Sequence, residues 1–287
     1  MKIVVTGATG HVAACLIPRL LELGHEVRAV CFGDTGCLDG LAVEQVPEDV
    51  RDPDRLRAAF VGQEILVHLA AFISVQARDE ALMREVNVDG VRNVATAALQ
   101  TGARRMVHVS SVHAYDTWRR PHALTEADPK AQRPGLPAYD RTKALGEEAL
   151  QEVIGQGLDA TILNPVGILG PRDHRPSLMG GLLCEMYRGR MPIVPGGGFC
   201  WVDVRDVVGM ILTGIELGHR GENYLLSAEH VPSMNFHHMT QAVRGTSRWA
   251  VEARRRRIGR GWSGCAATSF ALRLRRVGSS ASPTGRW

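Results

Sequence analysis

Short runs of β-branched and other apolar residues alternate with amphipathic stretches over the first 165 residues of the chain. The runs predict buried strands. The stretches between them, whose apolar residues recur three and four positions apart, predict helices. Strands that alternate with helices are typical of a parallel, doubly wound sheet, so we predict an α/β fold. The predicted strands lie in KIVVTG, HEVRAVCF, AVEQVPE, EILVHLAA, RRMVHVSS and DATILNP.

The pattern changes after Pro165. Segments rich in Gly and Pro, GILGPRDHRPS and MPIVPGGGFC, flank one predicted helix; VDVRDVVGMILTGIELG predicts another, followed by the strand ENYLLS. We assign residues 1–165, completed by about 200–228, to the sheet domain. Residues 166–199 and 229–243 form a small, incomplete C-terminal substrate lobe. Residues 244–287 mix Arg with Gly and Ser, which predicts a disordered or aberrant tail.

The net charge of +4 is unevenly distributed. Residues 244–287 carry 11 arginines and one acid, so residues 1–243 hold the other 23 basic and 29 acidic side chains. An acidic body with a basic tail argues against a nucleic-acid-binding fold. The apolar runs are too short to cross a membrane. Six scattered cysteines without metal-like spacing are typical of a reduced, cytoplasmic protein with no metal site.

The segment TGATGHVA directly follows the first predicted strand and opens the first predicted helix. Gly7 permits a tight turn, and Gly10 lets the backbone approach a pyrophosphate at the helix N-terminus. Ala13 stands where a third glycine is usual, and it is small enough for the helix to pack closely on the strand. This context predicts a dinucleotide cofactor.

The choice between NAD and NADP depends on the end of the second strand. NAD favours an acid there, for the ribose 2′-hydroxyl, and Asp34 is the nearest one. NADP favours Arg or Lys, and residues 32–35 contain neither, so the sequence leans slightly towards NAD. Asp49 and Val50, after the third strand, could meet the adenine edge. A solvated loop acid is an equally good interpretation of Asp49.

Tyr139 and Lys143 lie four residues apart in a predicted helix and therefore project from one face. A Tyr hydroxyl has a pKa near ~10, and bringing it to neutrality costs about 4 kcal/mol. A Lys charge at ~4 Å supplies about that amount at an effective dielectric of ~20. Ser110 and Ser111 end the fifth strand at the sheet edge where open α/β folds bind ligands.

These segments occur in an order that resembles the extended short-chain dehydrogenase/reductases, also described as the NAD-dependent epimerase/dehydratase family. The likeness covers residues 1 to about 243, and the GGGFCW segment is closest to the dihydroflavonol-reductase-like branch. The resemblance implies a Rossmann fold. The motifs that carry it are TGATGHVA, HLAA at 68–71, Asn87 in EVNVDG, SSVHAY at 110–115, YDRTK at 139–143 and NPVG at 164–167.

The resemblance also implies roles for individual residues. Ser111 is the catalytic hydroxyl with Tyr139 and Lys143, and Lys143 also holds the ribose hydroxyls. Asn87 steadies the site, although a buried helix Asn is an alternative, and Asn164-Pro165-Val166 meets the nicotinamide amide. Homodimers through the helices at 84–101 and 138–154 are common in the family. The expected cofactor contacts are Gly7, Thr9, Gly10, His11, Val12, Asp34, Asp49, Val50, Leu69, Ala70, Ala71, Asn87, Tyr139, Lys143, Asn164, Pro165 and Val166.

Three functions follow from these residues. The first is an NAD(P)-dependent oxidoreductase acting on a carbonyl or secondary alcohol of a small-molecule substrate. The second is a nucleotide-sugar epimerase or dehydratase with bound NAD. Many such enzymes carry an Arg that grips a phosphate where this chain has Phe199, which favours the first function. The third is a weak or inactive cofactor-binding relative, because the Arg-rich tail replaces residues that usually complete the substrate lobe.

Overall fold

The computed structural model of the protein describes residues 1–118, 122–246 and 250–253. The chain divides into two compact units. The first contains Met1–Ser177 and Trp201–Ala228, and the second contains Leu178–Cys200 and Glu229–Trp287. Residues 166–177, which the sequence analysis places in the C-terminal lobe, thus lie in the first unit. Within the described ranges, each helix is too short or too polar to span a lipid bilayer.

The helices and strands follow one another as the apolar pattern predicts over the first half of the chain. A π-helical turn, Glu85–Asp89, joins α3 to α4. In chain order the elements are β1 (Lys2–Thr6), α1 (His11–Glu22), β2 (Glu26–Cys31), β3 (Val43–Pro47), α2 (Pro53–Phe60), β4 (Ile65–His68), α3 (Glu80–Arg84), α4 (Gly90–Gln100), β5 (Arg105–Val109), α5 (Ala138–Gly155), β6 (Ala160–Pro165), β7 (Gly167–Leu169), α6 (Leu178–Tyr187), β8 (Ile193–Pro195), β9 (Gly198–Asp203), α7 (Val204–Leu217), β10 (Asn223–Leu226), β11 (Glu229–Pro232), α8 (Ser233–Arg244) and β12 (Val251–Ala253).

The first unit is built on a seven-stranded sheet with the order β10-β6-β5-β4-β1-β2-β3. Every neighbouring pair in it is parallel, which confirms the predicted doubly wound α/β fold. Chain order reverses direction between β1 and β4, and open α/β sheets bind their ligands at such a switch point. The carboxyl ends of these central strands therefore mark the edge where a site is expected.

Both faces of the sheet are covered by helices, as the continuous apolar runs require. Ile3 and Val5 of β1 point to one side, where they pack in a buried cluster with residues of α1 and α7. Val4 points to the other side, into a cluster formed with α2, α4 and α5. Helix α2 is capped at its start, because the Asp52 carboxylate accepts the Arg55 N–H at 3.1 Å and Pro53 is the first helical residue.

The second half departs from the apolar pattern. The Gly- and Pro-rich segments contain the short strands β7, β8 and β9, and α8 follows where the sequence shows only weak periodicity. In the second unit, α8 packs on α6, and the buried Gln241 side chain donates to the Met186 carbonyl at 2.7 Å. Val251–Ala253, inside the predicted tail, pairs with β8. The rest of that prediction, residues 247–249 and 254–287, lies outside the described residues.

Candidate active site

The glycine turn between β1 and α1 packs closely against the loop that follows β4. Gly7 has a φ of 68°, and a Cβ on it would lie 2.6 Å from the Ala70 nitrogen in the loop after β4. The Gly10 N–H donates to the Gly7 carbonyl at 3.0 Å, and Gly10 is the N-cap of α1. Ala13 is fully buried, as a close helix–strand contact demands. The free N–H groups at this helix N-terminus fit a cofactor pyrophosphate.

The other residues of this turn differ in their surroundings. The His11 Nε2 atom lies 3.0 Å from the Pro171 carbonyl oxygen, and Val12 packs partly buried against the core. Thr9 lines a cleft of about 350 Å³ at the end of β2. The cleft lies where the adenosine half of a dinucleotide belongs in this fold. Its lining residues are Thr9, Asp34, Gly36, Cys37, His174 and Arg175.

Asp34, the expected ribose acid, has a basic partner that the sequence does not place near it. The Arg175 Nη2 atom lies 2.7 Å from Asp34 Oδ2, across 141 residues of chain. The Gly36 N–H also donates to the Asp34 carboxylate at 3.0 Å. The Gly36 hydrogen bond and then Arg175 lower the pKa of Asp34. The cleft thus holds both an acid suited to a ribose hydroxyl and a guanidinium suited to a phosphate.

Asp49 and Val50 both make hydrogen bonds to neighbouring residues of the protein. Arg51 binds the Asp49 carboxylate, with 2.6 Å between Nη2 and Oδ2, and this hydrogen bonding lowers the pKa of Asp49. Val50 is buried, and its carbonyl accepts a hydrogen bond from the Asn93 side chain at 3.2 Å. An adenine contact from this pair stays a prediction.

The loop Leu69–Ala71 is held in place from both ends. The Leu69 N–H donates to the Thr6 carbonyl at 3.1 Å. Beyond the loop, the Asn87 side chain brackets Phe72, accepting from its N–H at 2.8 Å and donating to its carbonyl at 2.9 Å. Asn87 lies in the π-helical turn and also donates to Thr142 Oγ1 of α5 at 3.3 Å. Its side chain therefore positions the residue after the loop, and its expected role at the cofactor stays a prediction.

Ser111, Tyr139 and Lys143 converge at the carboxyl edge of the sheet. Ser111 follows β5, and its Oγ accepts the His113 N–H at 3.2 Å. Tyr139 lies in the first turn of α5, and its ring packs edge-on against His113, the residue that donates to Ser111. Lys143 lies one turn further along α5 and is 2% exposed. The structure brings together the three side chains that the sequence analysis selects.

Burial dominates the electrostatics of this trio. It raises the pKa of Tyr139 to about 12; the Ser111 hydrogen bond opposes this rise, and the Asp140 charge adds to it. Burial also lowers the pKa of Lys143 to about 8, against the charge of Glu147. The pKa of Tyr139 is thus shifted opposite to the direction expected from Lys143 alone, because loss of solvent disfavours both charged forms.

Two residues beside Tyr139 are missed by the sequence analysis. The His113 ring meets the Tyr139 ring edge-on, with 5.4 Å between centroids. His113 Nδ1 lies 2.9 Å from the buried Asp140 carboxylate, which also accepts from Trp118 Nε1 at 3.4 Å. His113 lies two residues after Ser111 and Asp140 directly follows Tyr139, but no local signal shows that they meet. The pair adds a fixed imidazole to the open side of Tyr139.

The segment Asn164–Val166, at the end of β6, borders Ser111. The Asn164 side chain is fully buried and donates to the Ser111 carbonyl at 3.0 Å. Pro165 ends β6, and the Val166 N–H donates to the Leu226 carbonyl at 3.0 Å. The Asn164 side chain therefore supports Ser111, and the expected nicotinamide contact from the backbone of this segment stays a prediction.

Comparison with known proteins agrees with this geometry. A sequence profile of the NAD dependent epimerase/dehydratase family matches residues 3–227. "Sterol demethylase protein B" of Methylococcus capsulatus is 41% identical over 232 residues, which cover 80% of this chain and 70% of that protein. A "putative dihydroflavonol 4-reductase" of a Synechocystis species is 32% identical over 233 residues, which cover 79% of this chain and 68% of that protein.

A solved structure shows the same fold. The crystal structure of gox2253 superposes with a TM-score of 0.81 at 31% identity, covering 88% of this chain and 77% of that one. The family match spans the glycine turn, the Asn87 turn and the Ser111, Tyr139 and Lys143 cluster. The protein therefore belongs to the NAD-dependent epimerase/dehydratase family, the extended short-chain dehydrogenase/reductase enzymes.

Proposed function

We propose that the protein is an NAD(P)-dependent oxidoreductase that interconverts a carbonyl and a secondary alcohol through Ser111, Tyr139 and Lys143. The observation that carries the proposal is that His113 contacts both Ser111 and Tyr139, which places the two side chains in one cluster, with the buried Lys143 one helical turn beyond Tyr139. A proton donor, a hydroxyl that polarises the substrate oxygen and a positive charge are what carbonyl reduction needs beside a hydride source. When bound, the nicotinamide supplies or accepts the hydride.

The residue roles follow from the electrostatics. With its pKa raised to about 12, Tyr139 is protonated at neutral pH and is ready to donate to a carbonyl oxygen. The Ser111 hydroxyl donates to the same oxygen and stabilises the charge that develops on it. The Lys143 ammonium lowers the cost of the phenolate that Tyr139 becomes after donation. In alcohol oxidation the same groups act in reverse.

The substrate favoured by this chain is apolar. Phe199 replaces the arginine that grips a phosphate in many nucleotide-sugar enzymes, and its side chain is exposed. The two relatives described above are named for a sterol and a dihydroflavonol, neither of which carries a diphosphate. The nucleotide-sugar epimerase is the second candidate, favoured by the family description itself.

The first experiment is a titration of the purified protein with NADH and with NADPH, followed by the fluorescence of the reduced nicotinamide. We expect saturable binding of both, tighter for NADH because Asp34 is an acid suited to the ribose hydroxyl. Gly10→Asp places a charge at the pyrophosphate position and should abolish binding. No binding of either dinucleotide to the wild-type chain would leave an inactive relative.

The second experiment is turnover with NAD⁺ and NADP⁺ on a panel of a sterol secondary alcohol, a flavan-3,4-diol and UDP-glucose. We expect net cofactor reduction with an apolar alcohol, lost by at least about a hundredfold in Tyr139→Phe with NADH affinity retained. Epimerisation of UDP-glucose without net reduction would support the second candidate instead.

We also propose a homodimer through α4 and α5. The two helices pack side by side, and an ion pair between Arg92 and Glu152 joins them. Arg141 of α5 pairs with Glu80 in the same region. Sedimentation at several concentrations tests the dimer, and a single species of monomer mass at all of them would reject it.

A further inference from the structure

A buried carboxylate lies one helical turn beyond Lys143, on the same face of α5. The Glu147 side chain is 3% exposed and has three donors. Its Oε1 atom accepts from Asn164 Nδ2 at 2.5 Å. Its Oε2 atom accepts from Lys130 Nζ at 2.7 Å and from Asn223 Nδ2 at 3.0 Å. A buried carboxylate with this many fixed donors is held in one position.

Asn164 connects this carboxylate to the catalytic serine. The Asn164 amide that donates to Glu147 also donates to the Ser111 carbonyl at 3.0 Å. Its own oxygen accepts from Asn223 at 2.7 Å. The network thus links the ends of β5 and β6, the start of β10 and the middle of α5. The Ser111 backbone is fixed relative to the helix that carries Tyr139 and Lys143.

Charge balance points to the same carboxylate. The chain has three lysines, Lys2, Lys130 and Lys143. Lys130 binds Glu147 directly, and Lys143 lies one helical turn before Glu147, whose negative charge acts on its pKa. The Lys130 ammonium lies 3.6 Å from the centroid of the Tyr115 ring, a cation–π contact. Burial lowers the pKa of Lys143 to about 8, which disfavours its ammonium form. The negative charge of Glu147 opposes that change.

Two buried histidines whose pKa values Lys143 affects carry no compensating charge, and the buried Asp140 carboxylate, three residues before Lys143, binds His113 instead. His68 of β4 and His108 of β5 stack with 5.1 Å between centroids. Burial lowers the pKa of both, that of His68 to about 3, and Lys143 lowers them further. Both rings are therefore neutral, and Tyr139 is protonated at neutral pH. Glu147 is the anion that acts on Lys143.

We infer that Glu147 is a positioning residue of this site, whose carboxylate balances the charge of Lys143 and holds the Ser111 backbone through Asn164. The inference rests on the proposed function for its catalytic meaning. The two effects that it requires, the charge coupling between Glu147 and Lys143 and the fixed position of the Ser111 backbone, are measurable without a substrate.

The test is a pH titration of lysine ε-carbon signals in protein labelled at lysine. Three lysines give three signals, and Lys143→Met identifies the one that matters. We expect Glu147→Gln to lower the pKa of Lys143 by about one unit, since a neutral amide no longer favours the ammonium. Backbone amide signals of Ser111 and Val112 should shift in the same variant.

Glu148→Gln is the matched control. Glu148 is the next residue on α5, is exposed, and accepts a hydrogen bond from Gln132 at 3.1 Å. The Glu148→Gln substitution also removes one negative charge from α5. It should leave both the pKa of Lys143 and the backbone amide signal of Ser111 unchanged. Glu147→Asp keeps the carboxylate and should restore most of the wild-type pKa.

Lys130→Met keeps the test decisive if Glu147→Gln does not fold. Removing one of two ammonium groups that share a carboxylate should raise the pKa of Lys143. The inference is overturned by an unchanged Lys143 pKa in Glu147→Gln, or by a fall in Lys130→Met. A protein that shows the expected shifts but binds no dinucleotide would contradict the proposed function alone.

Discussion

At the scale of single residues, the spacing of Tyr139 and Lys143 is visible in the sequence, but their ionisation is not. Four-residue spacing places both on one helix face whatever the fold. Their pKa values depend on how much solvent the fold removes, and burial moves the pKa of Tyr139 up and that of Lys143 down. Glu147 continues the same spacing and could have been selected from it. Its partners Asn164 and Lys130 could not.

Lys143 should make the stability of the protein depend on pH. Its pKa is about 8 when folded and about 10.5 when unfolded, so between these values the unfolded chain binds more protons and the free energy of unfolding rises with pH. Lys143→Met lacks this dependence. We expect the variant to be more stable by about 3 kcal/mol at pH 7, with most of the gap closed at pH ~10.

Urea unfolding of both proteins at the two pH values measures this difference. The same gap at both values would mean that the buried ammonium is not the cause. Loss of turnover together with a gain in stability would place Lys143 among residues kept for function at a cost in stability.

Two features favour glycine at position 7: its positive φ and its close approach to Ala70. Substitutions can separate the two effects. Gly7→Ala adds a Cβ 2.6 Å from the Ala70 nitrogen at a φ of 68°, so backbone must move. We expect it to lower the free energy of unfolding by about 2–4 kcal/mol and to weaken NADH binding at least about tenfold. Gly24 has a similar φ of 76° with open space around it.

Gly24→Ala therefore controls for backbone strain alone. It should cost about 1–2 kcal/mol and leave NADH affinity unchanged. Equal losses of NADH affinity in the two variants would show that the close approach of Gly7 to Ala70 has no part in cofactor binding.

At the scale of elements, the contact between the π-helical turn and α5 holds the cofactor loop. The sequence analysis places a single helix at 84–101, whereas the structure has α3, a π-helical turn and α4 between residues 80 and 100. The turn directs Asn87 towards Phe72 and Thr142. Hydrophobic periodicity does not distinguish a π turn from an α turn, so this detail depends on packing. Gly146 of α5 permits the contact.

Gly146→Ala should separate these two elements. A Cβ there would lie 2.1 Å from the Asn87 carbonyl oxygen, so α5 or the π-helical turn must shift. We expect a loss of about 2–3 kcal/mol in the free energy of unfolding and weaker NADH binding. Gly155, at the exposed end of the same helix, has open space for a Cβ.

Gly155→Ala should instead stabilise the protein by about 0.5–1 kcal/mol, because alanine loses less backbone entropy in a helix. Denaturant unfolding of the two variants gives effects of opposite sign on one helix. A stabilising Gly146→Ala would contradict the close contact.

At the scale of the whole molecule, the expected cofactor contacts and the three expected catalytic residues all lie in the first unit. Its sheet follows from alternating apolar runs, which is why the fold class was predictable. The second unit was predicted less well, since β8, β11 and α8 are short or weakly periodic. The approach of Arg175 to Asp34 joins residues far apart in the chain, and no local pattern contains it.

Cofactor binding should therefore be insensitive to damage within the second unit. Gln241→Leu leaves the Met186 carbonyl without its 2.7 Å donor and should lower the free energy of unfolding by about 1–3 kcal/mol. NADH affinity should stay within about twofold of wild type, because the two sets of residues share no partner. Fluorescence titration checks this, and a loss as large as that of Gly7→Ala would refute it.

The sequence by itself determined the α/β class, the glycine turn and the residues Ser111, Tyr139 and Lys143, because each depends on local periodicity, spacing or strand-end position. The tertiary structure decided what surrounds them. Burial depth, the Glu147–Asn164–Ser111 network and the Asp34–Arg175 pair all arise where separate segments meet. Solvent exclusion and long-range contacts belong to no single segment, so the pKa values and supporting residues of the site appear only once the chain is folded.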